Sequence, residues 1–414
     1  MIHPSQRTAH FHYAIRNIVG AAEKIERTGR PVTYLNIGDP QVFGFRPPAN
    51  IVEAVQRALR DSFTGYAHSA GLMEARAAVA GYATKIGAPT EISDVLITSG
   101  ASEAADLILS ALVNEGDEVL LPSPGYPLYT AILNKLGARP RYYDLNDEIG
   151  WQPDAAQIRK LIGKRTRALV LINPNNPTGS ILPDGLVTEL LTIAADHKLL
   201  VISDEVYREL CFGQSPTSAS ILGEKMQLPL ITLESLSKTH MVPGWRVGWM
   251  RFTHAKKMPE LITAIMRLAS GRLCSPTPTQ YAVRPALEGD TSFVPQFVTD
   301  IRQRRDAALE QIHEIEGLSC IQPNAAFYMM IKARDPLGRE DERFVLDLLQ
   351  STGLLVVHGS GFGADPKKCL FRLVYLAEAE TLSNAFRLIK QFLDRSAELL
   401  SGHHNESLIH ANSH

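Results

Sequence analysis

The sequence predicts an α/β protein in two parts: a large domain on a mostly parallel sheet covered by helices, and a smaller α+β domain. Three observations carry this. Between about 90 and 205, short and almost wholly apolar runs alternate with amphipathic stretches, the pattern of parallel strands buried on both faces. Polar, Gly- and Pro-rich segments follow directly after those runs, where open α/β sheets collect ligands. From about 292 the alternation gives way to a long charged helix and separated strand-like runs.

In chain order, Val95–Thr98 reads as a strand and Ser102–Val113 as a helix, with apolar residues at 104, 107, 108, 111 and 112 on one helical face. Glu118–Leu121 is a second strand and Leu128–Leu136 a second helix. Ala168–Ile172 and Leu199–Ser203 are strands separated by a helix from about Asp184 to His197. Beyond Ser292 a helix to roughly Ile315 precedes strand-like runs at Ala326–Ile331, Leu354–Val357 and Leu370–Val374. A helix from about Glu380 to Leu400 closes the domain, and 401–414 read as a disordered polar tail.

The chain has 414 residues, and 42 Lys+Arg against 44 Asp+Glu give a net charge of −2, with no basic excess for nucleic acid. Cys211, Cys274, Cys320 and Cys369 form no CxxC pair, so neither a metal site nor a disulfide framework is expected. No apolar run has the length of a signal peptide or a membrane span. The expectation is a soluble cytoplasmic protein that binds neither nucleic acid nor membrane.

The chemistry concentrates in a few segments. Ser235-Leu-Ser-Lys238 places a lysine between hydroxyls, with Arg246 eight residues on past a Pro-Gly turn. A lysine that condenses with a phosphorylated aldehyde needs such hydroxyls and a guanidinium for the phosphate. Thr98-Ser-Gly-Ala-Ser-Glu103 sits at a strand-to-helix turn, where Gly100 admits a ligand and the Ala101 and Ser102 amides favour an anion. Ordinary capping by Ser102 would account for that segment taken alone. In Asn173-Pro-Asn-Asn-Pro-Thr-Gly179 the rigid loop can present Asn176 to a phenolate-like oxygen. Asp204 ends a strand three residues before Tyr207. A carboxylate there can keep a pyridine nitrogen protonated, or cap a helix. Tyr126, in a stiff Pro-Gly-Tyr-Pro loop, can stack on a planar ring. Arg372 alternates with apolar neighbours on a strand and suits bidentate capture of a carboxylate.

Together these segments resemble the class I aminotransferases of fold type I, which use pyridoxal 5'-phosphate, from about Tyr34 to the last helix. The resemblance implies a seven-stranded, mostly parallel sheet in a large cofactor-binding domain at 46–291. The smaller domain would comprise 1–45, an N-terminal arm included, and 292–400. It implies that Lys238 carries the cofactor as a Schiff base and acts in catalysis with Asp204 and Tyr207. Asp204 would face the ring nitrogen, Asn176 and Tyr207 the phenolic oxygen, and Tyr126 the ring face. Gly100, Ala101, Ser102, Ser235, Ser237 and Arg246 would hold the phosphate. Tyr66 matches the tyrosine that reaches the neighbouring subunit's phosphate, so a homodimer with shared sites is implied. Gly38, Asn176 and Arg372 would bind the substrate.

Tyr34–Pro40, Trp151–Asp154, Arg272–Cys274 and Val357–Gly363 resemble the alanine aminotransferase-like branch. That implies ping-pong exchange of alanine and pyruvate with glutamate and 2-oxoglutarate. Alternatives on the same cofactor are an aspartate, aromatic or branched-chain aminotransferase, or a carbon–sulfur lyase; more distant is a ligand-sensing regulator. Ala325, where the family usually has glycine, and 364–369, which lack a glycine-histidine pair, depart from the pattern in a region expected to sense substrate. Arg16, Arg272 and Arg284 are the candidate cations for a distal carboxylate.

Overall fold

The computed structural model describes residues 2–5, 15 and 18–411, with side chains to residue 401. A two-residue strand, β1 (Thr33–Tyr34), precedes the large sheet. That sheet contains β2 (Val95–Thr98), β3 (Glu118–Ser123), β4 (Arg139–Asn146), β5 (Gln152–Pro153), β6 (Thr166–Ile172), β7 (Leu200–Asp204), β8 (Leu230–Ser235) and β9 (Gly248–Thr253). Their order across the sheet is β2-β9-β8-β7-β6-β3-β4-β5. The pairings β8–β7, β7–β6, β6–β3 and β3–β4 are parallel, whereas β9 is antiparallel to both its neighbours. The expected seven strands are present, and β5 adds a two-residue edge, antiparallel to β4.

The central strands alternate sides as a pleated strand must. In β6, Leu169 and Leu171 enter one apolar cluster while Ala168, Val170 and Ile172 enter another. Helices cover both faces, so every second residue is not free to be polar and the strand reads as an unbroken apolar run. Strand β4, next to the two-residue edge strand β5, is different. Four of its eight residues are exposed, and its polar Arg-Pro-Arg-Tyr-Tyr-Asp sequence conceals it from hydrophobic patterning.

The second sheet has the order β10 (Leu318–Cys320), β11 (Tyr328–Ala333), β14 (Leu370–Val374), β13 (Val357–His358), all antiparallel. β11 begins at 328 rather than at the expected 326. Ala326 has φ +60°, a left-handed conformation that cannot continue a strand. The helix Phe293–Glu314 packs Ile301 and Leu309 into the core of this sheet with Phe327, Phe371 and Phe386. Ile18, Ala22 and Leu35 enter the same core, and β1 pairs in parallel with β12 (Leu354–Leu355). The last helix, Ala379–Ala411, continues through the expected tail as far as the described residues extend.

Candidate active site

A cleft opens beyond the carboxyl ends of the large sheet's strands, where open α/β sheets collect ligands. Ala101, Ser102, Tyr126, Asn176, Asp204, Tyr207, Ser235, Ser237, Lys238 and Arg246 all line it. Sequence segments nearly 150 residues apart therefore converge on one cavity. They do so because parallel strands place all their exit loops at one edge.

One end of the cleft is built for an anion. Gly100, with φ +78°, caps the helix Ala101–Leu112, and no side chain caps the first amides of that helix. Ser102 is thus inside the helix rather than its cap. A Cβ on Gly100 would lie 2.7 Å from the Arg246 guanidinium carbon, so only glycine lets the arginine close over the helix N-terminus. Carbonyls of Ser99 and Pro243 accept from Arg246, each at 3.1 Å. The Ser237 amide donates to Ser235 Oγ at 2.9 Å, which starts the short helix Leu236–Thr239 and seats Lys238 on its third residue. The result is a guanidinium, two hydroxyls and uncapped helix amides around one point.

The other end holds Asp204, 8% exposed. Its carboxylate accepts from Tyr129 Oη at 2.9 Å and from the Val206 amide at 3.3 Å. Burial raises its pKa to about 6, opposed by those two hydrogen bonds and by no cation. Asp204 is neither a helix cap nor a salt-bridge partner; it is a buried acid aimed into the cleft. A cationic heteroaromatic N–H satisfies such a group. Pyridoxal 5'-phosphate presents that group, a phosphate for the opposite end and an aldehyde for Lys238 between them, so these residues fit the cofactor.

The raised pKa carries a stability consequence. Taking an unfolded value of 3.8, the folded chain binds the proton more tightly from about pH 4 to 6, so without a cationic ligand its stability falls as pH rises through that window. Asp204→Asn is expected to stabilise the cofactor-free protein by roughly 2–3 kcal/mol at pH 8 and little at pH 4. Chemical denaturation at the two pH values measures this. Equal stabilisation at both would mean that the buried charge is not its source.

Gly38 and Arg372 lie alongside the lining residues. Lys238 Nζ donates to the Gly38 carbonyl at 2.8 Å. Arg372, 1% exposed on β14, donates to Asn176 Oδ1 at 2.9 Å and to the Asn36 carbonyl. Its guanidinium carbon sits 4.5 Å from the Tyr328 ring centre and 4.7 Å from that of Phe362. The Tyr207 and Tyr328 hydroxyls are 2.9 Å apart. Tyr66 is not among the residues lining the cleft and is 84% exposed.

The cations considered for a distal carboxylate are otherwise engaged. Arg272 pairs with Glu103 at 2.9 Å and donates to the Ile97 and Ser69 carbonyls. Arg284 pairs with Glu288 at the surface. Arg16 lies outside the described residues. The two departures noted above do not line the cleft. Ala325 is buried, with its amide on the Gly179 carbonyl at 3.0 Å, and Ala364 borders an outer groove. Tyr129 and Tyr328 are the site residues that sequence reasoning missed. Tyr129 follows Tyr126 by three residues, the one signal available for it. Tyr328 gave none, since a tyrosine on an apolar strand reads as core.

Among the described residues no group of His, Cys, Asp and Glu could hold a metal ion, and no helix is long and apolar enough to cross a membrane. All four cysteines are free.

A family profile described as aminotransferase class I and II matches residues 30–389. Alanine aminotransferase of Mycobacterium bovis is 37% identical over 392 residues, 92% of this chain and 90% of that protein. Glutamate-pyruvate aminotransferase AlaA of Escherichia coli K12 is 36% identical over 411 residues, covering 97% and 99%. The structure of an alanine aminotransferase from Pyrococcus furiosus superposes with a TM-score of 0.91 at 36% identity, over 95% of this chain and 100% of that one. This chain belongs to the class I and II aminotransferases, enzymes that transfer amino groups with pyridoxal 5'-phosphate as cofactor.

Proposed function

We propose that this enzyme exchanges amino groups between alanine and pyruvate on one side and glutamate and 2-oxoglutarate on the other. The observation that carries the chemistry is Asp204, a buried acid without a cation, facing the same cleft as Lys238 and the uncapped helix at Gly100. The substrate assignment is supported by the names of the relatives above, an alanine and a glutamate-pyruvate aminotransferase.

When bound, pyridoxal 5'-phosphate supplies an aldehyde that takes up the amino group and a protonated ring that draws electrons from the substrate Cα. Ser235, Ser237, Arg246 and the amides of Ala101 and Ser102 hold its phosphate against Gly100. Asp204 keeps a proton on the nitrogen facing it, and Tyr129 keeps Asp204 in place. Tyr126 covers one ring face, while Asn176 and Tyr207 direct polar hydrogens at the ring oxygen. Arg372, beside Gly38 and Asn176, binds the substrate α-carboxylate and so fixes which bond faces Lys238. Lys238 Nζ, when not bonded to the cofactor, would be the base that takes the proton from the substrate Cα and carries it to the carbon on the far side of the transferred nitrogen.

A homodimer is part of this reading. Tyr66 is exposed in a segment matching the family's phosphate-reaching tyrosine, and Phe63 and Met73 nearby are also exposed. Light scattering is expected to return twice the chain mass; a single-chain mass at working concentration would remove shared sites. The pairing of β1 with β12 and the shared core of Ile18, Ala22 and Leu35 with the second sheet support placing 1–45 with 292–400, around a large domain at 46–291. The four free cysteines support a cytoplasmic enzyme.

A half-reaction screen tests the substrates. Amino acids are added singly to the holoenzyme while the cofactor's absorbance is followed. Alanine and glutamate are expected to convert it fastest. Faster conversion by aspartate or an aromatic amino acid would overturn the assignment, and ammonia release from a sulfur amino acid would point to a lyase instead.

A further inference from the structure

Tyr328 touches more of the site than its place in a core strand explains. It is 2% exposed on β11, next to the strand that carries Arg372; across that pair Tyr328 faces Val374 and Met330 faces Arg372. Its ring lies under the Arg372 guanidinium, 4.5 Å from ring centre to carbon, within cation–π range. Its hydroxyl is 2.9 Å from that of Tyr207, and the two rings meet edge to face at 81° with centres 5.6 Å apart. The hydroxyl also fills the space a side chain at Gly38 would need: a Cβ there would lie 2.7 Å from Tyr328 Cζ and 2.6 Å from the Phe327 ring. One aromatic residue thus contacts the residues assigned to the carboxylate, the ring oxygen and the Lys238-bonded backbone.

We infer that Tyr328 is a positioning residue whose hydroxyl donates to Tyr207, orienting Tyr207's own proton toward the cofactor's ring oxygen, and whose ring is the platform that levels Arg372. The inference rests on the roles proposed above for Tyr207 and Arg372. Each hydroxyl has one proton and can donate once. If Tyr207 spends its proton on the ring oxygen, the short contact requires Tyr328 to be the donor between them. A hydroxyl that accepts a hydrogen bond becomes a stronger donor in turn, so the pair polarises toward the cofactor. The two functions are separable in the side chain. The hydroxyl serves Tyr207, and the ring serves Arg372.

The test titrates the absorbance of the bound cofactor in the substrate-free holoenzyme for wild type, Tyr207→Phe, Tyr328→Phe and Tyr328→Leu, and measures KM for alanine. Donors to the ring oxygen stabilise its negative charge and lower the titration midpoint, so their loss raises it. Tyr207→Phe is expected to raise the midpoint by about 1 unit or more. Tyr328→Phe, which keeps the ring, should raise it by about 0.3 unit with KM within about twofold of wild type. Tyr328→Leu should add a rise in KM of about tenfold. A merely structural role would leave the midpoint of Tyr328→Phe at the wild-type value. If Tyr207→Phe moves the midpoint and Tyr328→Phe does not, the relay is overturned while the reading of Tyr207 stands. If Tyr207→Phe moves nothing, the reading of Tyr207 fails first and the relay falls with it. An unchanged KM in Tyr328→Leu overturns the platform.

Discussion

Lys238→Ala is expected to lower transamination by about 10⁴-fold or more, the upper end of what a positioned acid–base group contributes. The two functions proposed for Lys238 disappear together, the attachment of the cofactor and the movement of the Cα proton, and among the described residues no second amine lines the cleft to replace either. Cofactor should still bind, more weakly, because Arg246, the two serines and the amides at Gly100 are untouched. The measurement is turnover and bound cofactor in the purified variant. More than trace transamination there would sink the assignment of Lys238, whereas a variant that is inactive and also empty would shift the weight of binding away from the anion end.

Asp204→Asn is expected to cost the next most. The acid is buried, and its only stabilising contacts among the described residues are the Tyr129 hydroxyl and the Val206 amide. Opposite a cationic ring nitrogen it becomes half of a buried ion pair. Removing one member of such a pair typically costs about 3–5 kcal/mol, or roughly 10²- to 10⁴-fold in kcat/KM at 1.36 kcal/mol per decade. The same substitution should stabilise the cofactor-free chain, as derived above. Opposite signs for activity and cofactor-free stability identify a group held in an unfavourable state for its ligand. A variant that loses less than tenfold in kcat/KM would mean that Asp204 does not govern the ring nitrogen.

Much of this site was legible in sequence because its parts are local. A lysine flanked by serines, a glycine at a strand-to-helix turn and an acid at a strand end each carry a short-range signature. The loops follow apolar strands that hydrophobic patterning finds readily. Val95–Thr98, Leu128–Leu136 and Leu370–Val374 were read with the observed boundaries. Strand β4 was not, because a strand with half its residues exposed has no apolar run to detect. The start of β11 was misplaced because the left-handed Ala326 leaves no mark in composition.

Other features depended on contacts between distant segments. Ala325 and 364–369 look like substrate sensors from their place in the motif, yet neither lines the cleft. Arg272 looked like a free cation until Glu103, 169 positions earlier in the sequence, was found beside it. Residue types and short spacings are enough to name the cofactor chemistry, because the hydroxyls, the guanidinium and the acid are needed whatever surrounds them. Partners are another matter. Whether an arginine is free or paired, or a tyrosine is core or part of a relay through Tyr207, depends on which groups the fold brings within about 3 Å. That is a property of three-dimensional packing, and sequence spacing does not encode it.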